Sequence, residues 1–253
     1  MKHIIIKKLK ILFYKVEPFI ITFLQLIFKP KITNAKEIPI IINNFNRLTY
    51  LTQLIDALEK RGYHNIHIID NGSTYKPLLD YYKKTSYTVY FLNKNIGYLA
   101  LWKTDLYKKF IKDYYVYTDP DVVPIEDCPA DFLEYFLTIL KRNSQIRKIG
   151  FGLKIDDLPD HYKHKESVIN WEKQYYLNKS KGENLFVAQI DTTFALYRPW
   201  AWGGANIRYQ HLRTGFPYLA RHLPWYEDSS TPGTENLFYI NAATASTHWT
   251  SQK

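Results

Sequence analysis

The stretch Tyr114–Pro124, YYVYTDPDVVP, decides how this chain is read. Tyr114–Thr118 is β-branched and aromatic, which predicts a strand. The strand runs directly into Asp119-Pro120-Asp121. Pro120 has no N–H to give a ladder and ends the strand. Residues two apart on an extended chain face one side, so Asp119 and Asp121 are expected to point together. Two carboxylates a few ångströms apart repel by a few kcal/mol at an intermediate dielectric of about 20. A shared hard cation relieves that repulsion, and Mg²⁺ or Mn²⁺ takes one or two carboxylates together with phosphate oxygens. The plain alternative is an Asp-Pro turn with both carboxylates in water.

The sequence upstream alternates short apolar runs with amphipathic ones. Ile38–Ile42, Ile66–Ile69 and Thr88–Leu92 read as strands. Thr49–Arg61 reads as a helix, with Leu51, Leu54, Ile55 and Leu58 on one face and Gly62 as its stop. Pro77–Lys84 and Ala100–Lys112 read as further helices. This βαβα order predicts an α/β fold with an open, mainly parallel sheet flanked by helices. Such sheets bind ligands at the carboxyl ends of their strands. The polar clusters Asn43–Arg47, Asp70–Ser73, Asn93–Gly97 and Asp119–Asp121 all fall at those ends.

Taken together, Asn46-Arg47, IIDNGST at 68–74, NKNIGY at 93–98 and YTDPDVVP at 117–124 resemble, in order and spacing, the family 2 glycosyltransferases of the GT-A fold. The likeness covers residues 38–126. DTTFALYRP at 191–199 and WYED at 225–228 extend it more loosely. The resemblance implies a GT-A domain over 37–253, with a nucleotide-sugar half at 37–126 and an acceptor half at 127–253. It implies that Asp70, with Asn71 beside it, meets the nucleobase or ribose. Asn46 and Arg47 would border the nucleotide, with the Arg47 fork suited to phosphate. Asn95 and Gly97 would line the donor pocket, Asp119 would touch the ribose or sugar, and Asp121 would hold Mn²⁺ or Mg²⁺. A late histidine often joins the metal in such enzymes, which brings forward His222 and His248. The acceptor's proton would go to Asp228, to its neighbour Glu227, or to Asp191. Trp200–Asn206, WAWGGAN, resembles a WGWGGED segment, but Ala205 and Asn206 stand where the acidic pair would be. Trp202, Trp225 and Trp249 are candidate stacking floors for acceptor sugars.

The implied function is metal-dependent, inverting transfer of a sugar from a nucleotide-sugar, a UDP-sugar first, to a glycan or lipid-linked acceptor in surface polysaccharide synthesis. A nucleotidyltransferase also fits a metal-binding Asp pair, but INNFNR has no glycine-rich loop for a triphosphate. A non-catalytic anion-binding protein fits the formal charge of +10. No nucleic-acid-binding signature supports that reading.

Residues 1–36 differ from the rest, being basic and apolar together. The run Phe19–Phe28 is about half the roughly 20 residues that span a bilayer. With Lys2, Lys7, Lys8, Lys10, Lys15, Lys29 and Lys31 nearby, it predicts a membrane-interface helical extension on an anionic surface. The expected location is cytoplasmic, peripheral on the inner face of the membrane. A helix packed on the domain is the alternative. Cys128 is the sole cysteine, so no internal disulfide can form.

Overall fold

A computed structural model describes residues 16, 19–180, 184–190, 194–203, 211–228 and 230–242. Four parallel strands come first: β1 (Ile40–Asn44), β2 (Ile66–Asp70), β3 (Thr88–Phe91) and β4 (Tyr115–Thr118). β5 (Val122–Pro124), β6 (Lys148–Leu153), β7 (Leu185–Val187), β8 (Ala195–Tyr197) and β9 (Leu212–His222) complete a nine-stranded sheet among the described residues. Its order is β3-β2-β1-β4-β8-β6-β9-β5, with β7 paired to β9. β8 runs antiparallel to both β4 and β6, so β6 and its parallel neighbour β9 point the same way as β1–β4. The carboxyl ends of six strands therefore share one edge.

Helices cover both faces. α1 (Thr49–Glu59) and α2 (Lys76–Tyr82) follow β1 and β2. α3 (Tyr107–Phe110), α4 (Phe132–Arg142), α5 (Lys165–Glu172) and α6 (Thr234–Ala242) complete the set. β1 is buried along its whole length, as a strand covered on both faces must be. Ile40 and Ile42 enter the core with α1 and α4, while Ile41 enters a second core with Trp102, Tyr115 and Tyr117. The fold is thus the mainly parallel α/β sheet that the alternation predicts.

Two elements differ from the sequence reading. β1 begins two residues later than expected and runs on through Asn43 and Asn44, because those backbones pair with Ile69 and Asp70. The helix expected over Ala100–Lys112 contracts to α3, preceded by turns with three-residue hydrogen bonds such as Trp102 N to Leu99 O. Thr104 Oγ1 donates to the Ala100 and Leu101 carbonyls, a local bond that competes with a regular helix. Trp102 meanwhile drops between Tyr117 and Tyr197.

The 19–27 segment is helical. It docks through Ile21, which is buried, and through Gln25, whose side-chain amide donates to Pro199 O. Phe28 packs on Trp200 at 5.5 Å between ring centres. Phe19, Phe23, Leu26 and Ile27 remain exposed. No helix among the described residues is long and apolar enough to cross a membrane.

The end of α4 shows what fixes the two halves of the sheet. Arg198 follows β8 and is buried. Its guanidinium donates to Ile146 O (2.9 Å), Asn143 O (2.8 Å) and Leu140 O. It thereby satisfies carbonyls that a helix C-terminus leaves without partners and meets the negative end of the helix dipole. Arg198→Met leaves those buried acceptors bare and is expected to cost about 3 kcal/mol, at 1–3 kcal/mol for each unsatisfied group. Asp80→Ala, which breaks only the exposed bridges to Lys76 and Lys83, is expected to change stability by less than about 1 kcal/mol. Urea midpoints of both variants check this, and equal midpoints would contradict the assignment.

Candidate functional site

The loops after β1 and β2 are built on each other. Asn71 N donates to Asn44 O, extending the β1–β2 pairing past the strand ends. Asn46 is wholly buried at φ 54°, a left-handed position that asparagine tolerates. Its side-chain oxygen accepts from Thr74 N (2.8 Å) and Tyr75 N (3.0 Å), and its own N–H donates to Ser73 Oγ (2.9 Å). Asn71 does the same for the next loop, accepting from Ile96 N (2.9 Å) and donating to Gly97 O (3.1 Å). Asn95 accepts from Gly97 N (2.8 Å). Gly72 has φ 77°, and a Cβ there would lie 2.7 Å from the Lys94 backbone, so only glycine lets the two loops meet. Asn46, Asn71, Asn95 and Gly97 therefore frame the carboxyl edge through backbone bonds.

Asp70 ends β2 and is buried. One oxygen accepts from Ser73 N at 3.1 Å, while the other is buried without a donor. Burial pushes this carboxyl up from its ordinary range, against hydrogen bonding from Ser73. The Asn43 and Asn44 side-chain oxygens, at the adjoining end of β1, also lack donors. Asn44 pairs with Asp70 and shares its face, whereas Asn43 turns to the other face; the Asp70 and Asn44 oxygens suit a ligand that brings N–H or O–H groups.

The acidic turn lies at the neighbouring strand end. β5 leaves it and pairs antiparallel with β9, setting Val122 opposite His222. Leu223 N closes the corner on Asp121 O at 2.8 Å. His222 Nε2 consequently stands 3.6 Å from Asp121 Oδ2, with both side chains largely buried. His222 Nδ1 is buried without a partner, and the ring packs on Trp225 at 4.6 Å between centres. Burial lowers the imidazole's pKa although Asp121 pulls it upward, so the ring is neutral at pH 7 and keeps a lone pair for a metal. A carboxylate beside a neutral imidazole is a donor set that accepts Mn²⁺ or Mg²⁺ when phosphate oxygens supply further positions. Among the described residues, no three His, Cys, Asp or Glu side chains gather to hold an ion unaided.

Arg47, Tyr50, Glu227 and α6 complete the cluster. Arg47 lies over the Tyr239 ring at 3.7 Å and donates to Asn236 Oδ1 at 3.1 Å. Asn236 in turn donates to Glu227 Oε2 at 2.8 Å. Tyr50 is buried beside Glu227, Arg47 and Asp121; burial, then the Glu227 carboxylate, raises its phenol above the usual range. Tyr239, raised mainly by burial, feels Asp119 and Asp121 as well as Arg47. Glu235 accepts from Thr49 N and Oγ1 at the start of α1, where a carboxylate meets free N–H groups. Phe238 packs on Tyr75 and Tyr239 on Phe45, so α6 lies across the loops after β1 and β2.

Asp228 stands apart from this cluster. It is exposed and accepts from Ser230 N (2.8 Å), Ser230 Oγ (2.6 Å) and Thr231 Oγ1 (3.1 Å). Those bonds lower its pKa. Trp225 is buried, whereas Trp202 is exposed against Tyr107. Asp191, His248, Trp249, Ala205 and Asn206 lie outside the described residues. Sequence reasoning missed Tyr50, Asn236 and Tyr239. Tyr50 carries a faint signal, a hydroxyl on the otherwise apolar face of α1, three residues after Arg47.

No family model matches the chain, and no curated protein matches it. Among solved structures, S. aureus TarS 1-349 aligns with a TM-score of 0.41 and 15% identity, over 64% of this chain and 47% of that one. The chain thus spans less than half of that structure's length, and nothing about chemistry passes from it to this chain.

Proposed function

We propose that this chain is a metal-dependent, inverting glycosyltransferase that takes a sugar from a nucleotide-sugar donor, a UDP-sugar first, and passes it to a hydroxyl of a glycan or lipid-linked acceptor. The observation that carries the reading is the Asp121–His222 pair, 3.6 Å apart at the sheet edge that also holds buried Asp70. Asp70, with Asn44 beside it on the same face, offers acceptors to the nucleobase and ribose. Arg47, whose planar fork suits a diphosphate, would exchange its Asn236 bond for a phosphate oxygen. Asp119 would meet the ribose or sugar. Asp121, with His222 and Asp119, would hold Mn²⁺ or Mg²⁺, and the ion supplies charge stabilisation to the departing diphosphate.

In the reaction the acceptor oxygen forms a bond to the anomeric carbon as the bond from that carbon to the diphosphate oxygen breaks. The electron pair leaves with the diphosphate, and the acceptor's proton passes to a carboxylate. Glu227 is the better base of the two in WYED. Asp228 is exposed and stabilised as its anion by three hydrogen bonds, which weakens it as a proton acceptor. Glu227 lies in the same cluster as Tyr50 and Asn236. Asp191 and His248 keep their proposed roles as rival base and further metal ligand.

The expected outcome is that nucleoside diphosphates raise the melting temperature in the presence of Mn²⁺ by mass action, and that Asp121→Ala abolishes the metal-dependent part. Glu227→Gln is expected to lower sugar transfer about 10²–10⁴-fold with nucleotide binding intact. Absence of any nucleotide-dependent shift, or full activity of Asp121→Ala in chelator, would refute the reading.

We also propose that the exposed face Phe19, Phe23, Leu26 and Ile27, with Lys29 and Lys31 after it, rests on an anionic membrane surface. The following segment is tied to Asp113, at the amino end of β4, through Lys31 N and Ile32 N. This surface and the candidate site therefore lie at different edges of the sheet and can be tested separately. The protein is expected to sediment with phosphatidylglycerol-containing vesicles, less so at high salt, and Phe23→Ser with Leu26→Ser is expected to weaken binding at least ten-fold. Equal binding of the variant, or none by the unaltered chain, would count against it.

A further inference from the structure

A concavity of about 460 Å³ opens where the β6–β9 register breaks. Phe151 faces Thr214, but the next residue, Gly152, faces Leu219, so residues 215–218 loop out of the ladder. Gly152 permits this, since a Cβ there would lie 2.3 Å from Thr214 O and 2.8 Å from Tyr176 Oη. Asn184 pins the loop, accepting from Gly215 N through its backbone oxygen (2.8 Å) and donating from its side chain to Phe216 O (2.7 Å). The walls include Leu153, Ile155, Tyr176, Phe186 and Leu219. Leu177 and Phe216, also lining residues, are 77% and 59% exposed, so large apolar side chains face water beside a preformed hollow. Lys154 at the wall is already neutralised by Asp156 at 2.7 Å.

We infer that this hollow takes the apolar aglycone of the acceptor, an alkyl or aryl group carried next to the hydroxyl-bearing sugar. Its size and lining suit part of a small molecule, not the flat face of a partner protein. Its position ties it to the candidate site. The Tyr226 hydroxyl donates to Asp157 at 2.6 Å and lies 3.2 Å from Lys154 O. Tyr226 immediately precedes Glu227. One tyrosine side chain therefore spans from the residue before the proposed base to the wall of the hollow, and Leu153 ends β6 at the sheet edge that carries Asp121. The assignment to an acceptor rests on the transferase reading; the assignment of an apolar ligand rests on the hollow alone.

Titration calorimetry with n-octyl β-D-glucopyranoside, below its micelle concentration, and with methyl β-D-glucopyranoside tests this on the full chain. The octyl glycoside is expected to bind one site at least ten-fold more tightly. Leu177→Glu and Phe216→Glu, both at exposed positions, are expected to remove that advantage and leave the Mn²⁺-dependent nucleotide shift unchanged. Equal binding of the two glycosides, or rim variants that bind like the unaltered chain, would overturn the assignment. Loss of the nucleotide response from the unaltered chain, with octyl binding intact, would overturn the transferase reading and leave an apolar-ligand site standing. Nucleotide response without octyl preference would overturn the hollow's role alone.

Discussion

The antiparallel pairing of β5 with β9 is the constraint on which the candidate chemistry depends. β5 is only three residues long, and it leaves an acidic turn at the end of a parallel strand. Its partner arrives from far along the chain and stops at His222. Because Val122 lies opposite His222, the imidazole comes to rest against Asp121. A slip of one residue would turn His222 to the other face of the sheet. The backbone bond from Leu223 N to Asp121 O holds the register at its last step. Burial favours the neutral imidazole, and the Asp121 carboxylate opposes it.

A second constraint joins the two ends of the chain. Arg47 leaves the loop after β1 and is bracketed by Tyr50, Tyr239 and Asn236. A buried guanidinium without a carboxylate partner is costly unless its donors and faces are met. Here aromatic faces and an amide meet it. The same α6 carries Asn236 to Glu227 and Glu235 to the start of α1. The phosphate and base candidates are thereby linked through neighbouring side chains of one helix.

Much of the first half of the fold was legible in the sequence, because a buried parallel strand followed by an amphipathic helix leaves a strong periodic signal. The four polar clusters were legible for the same reason: they interrupt apolar runs at strand ends. What each residue does there was less legible. Asn46 and Asn71 look like ligand-facing amides, yet both are engaged by backbone N–H and C=O groups of adjacent loops. Nothing local marks that difference, since it depends on how closely two loops approach. In the second half, strands of three residues and a bulged β9 carry little periodicity. Asp228 comes first on motif likeness, and nothing in the motif shows that Ser230 and Thr231 donate to it. Tyr239 and Asn236 were invisible because their partners lie about 190 residues away.

The central claim is that Asp121 lies beside a neutral His222. Histidine-selective NMR titration, with the His222 signal assigned by its loss in His222→Gln, tests it without reference to activity. The midpoint is expected below the ordinary 6.5. In Asp121→Asn it is expected to move further down, because the carboxylate that favours the imidazolium has gone while the burial remains. A midpoint at or above 6.5 that ignores the Asp121 substitution would contradict the account.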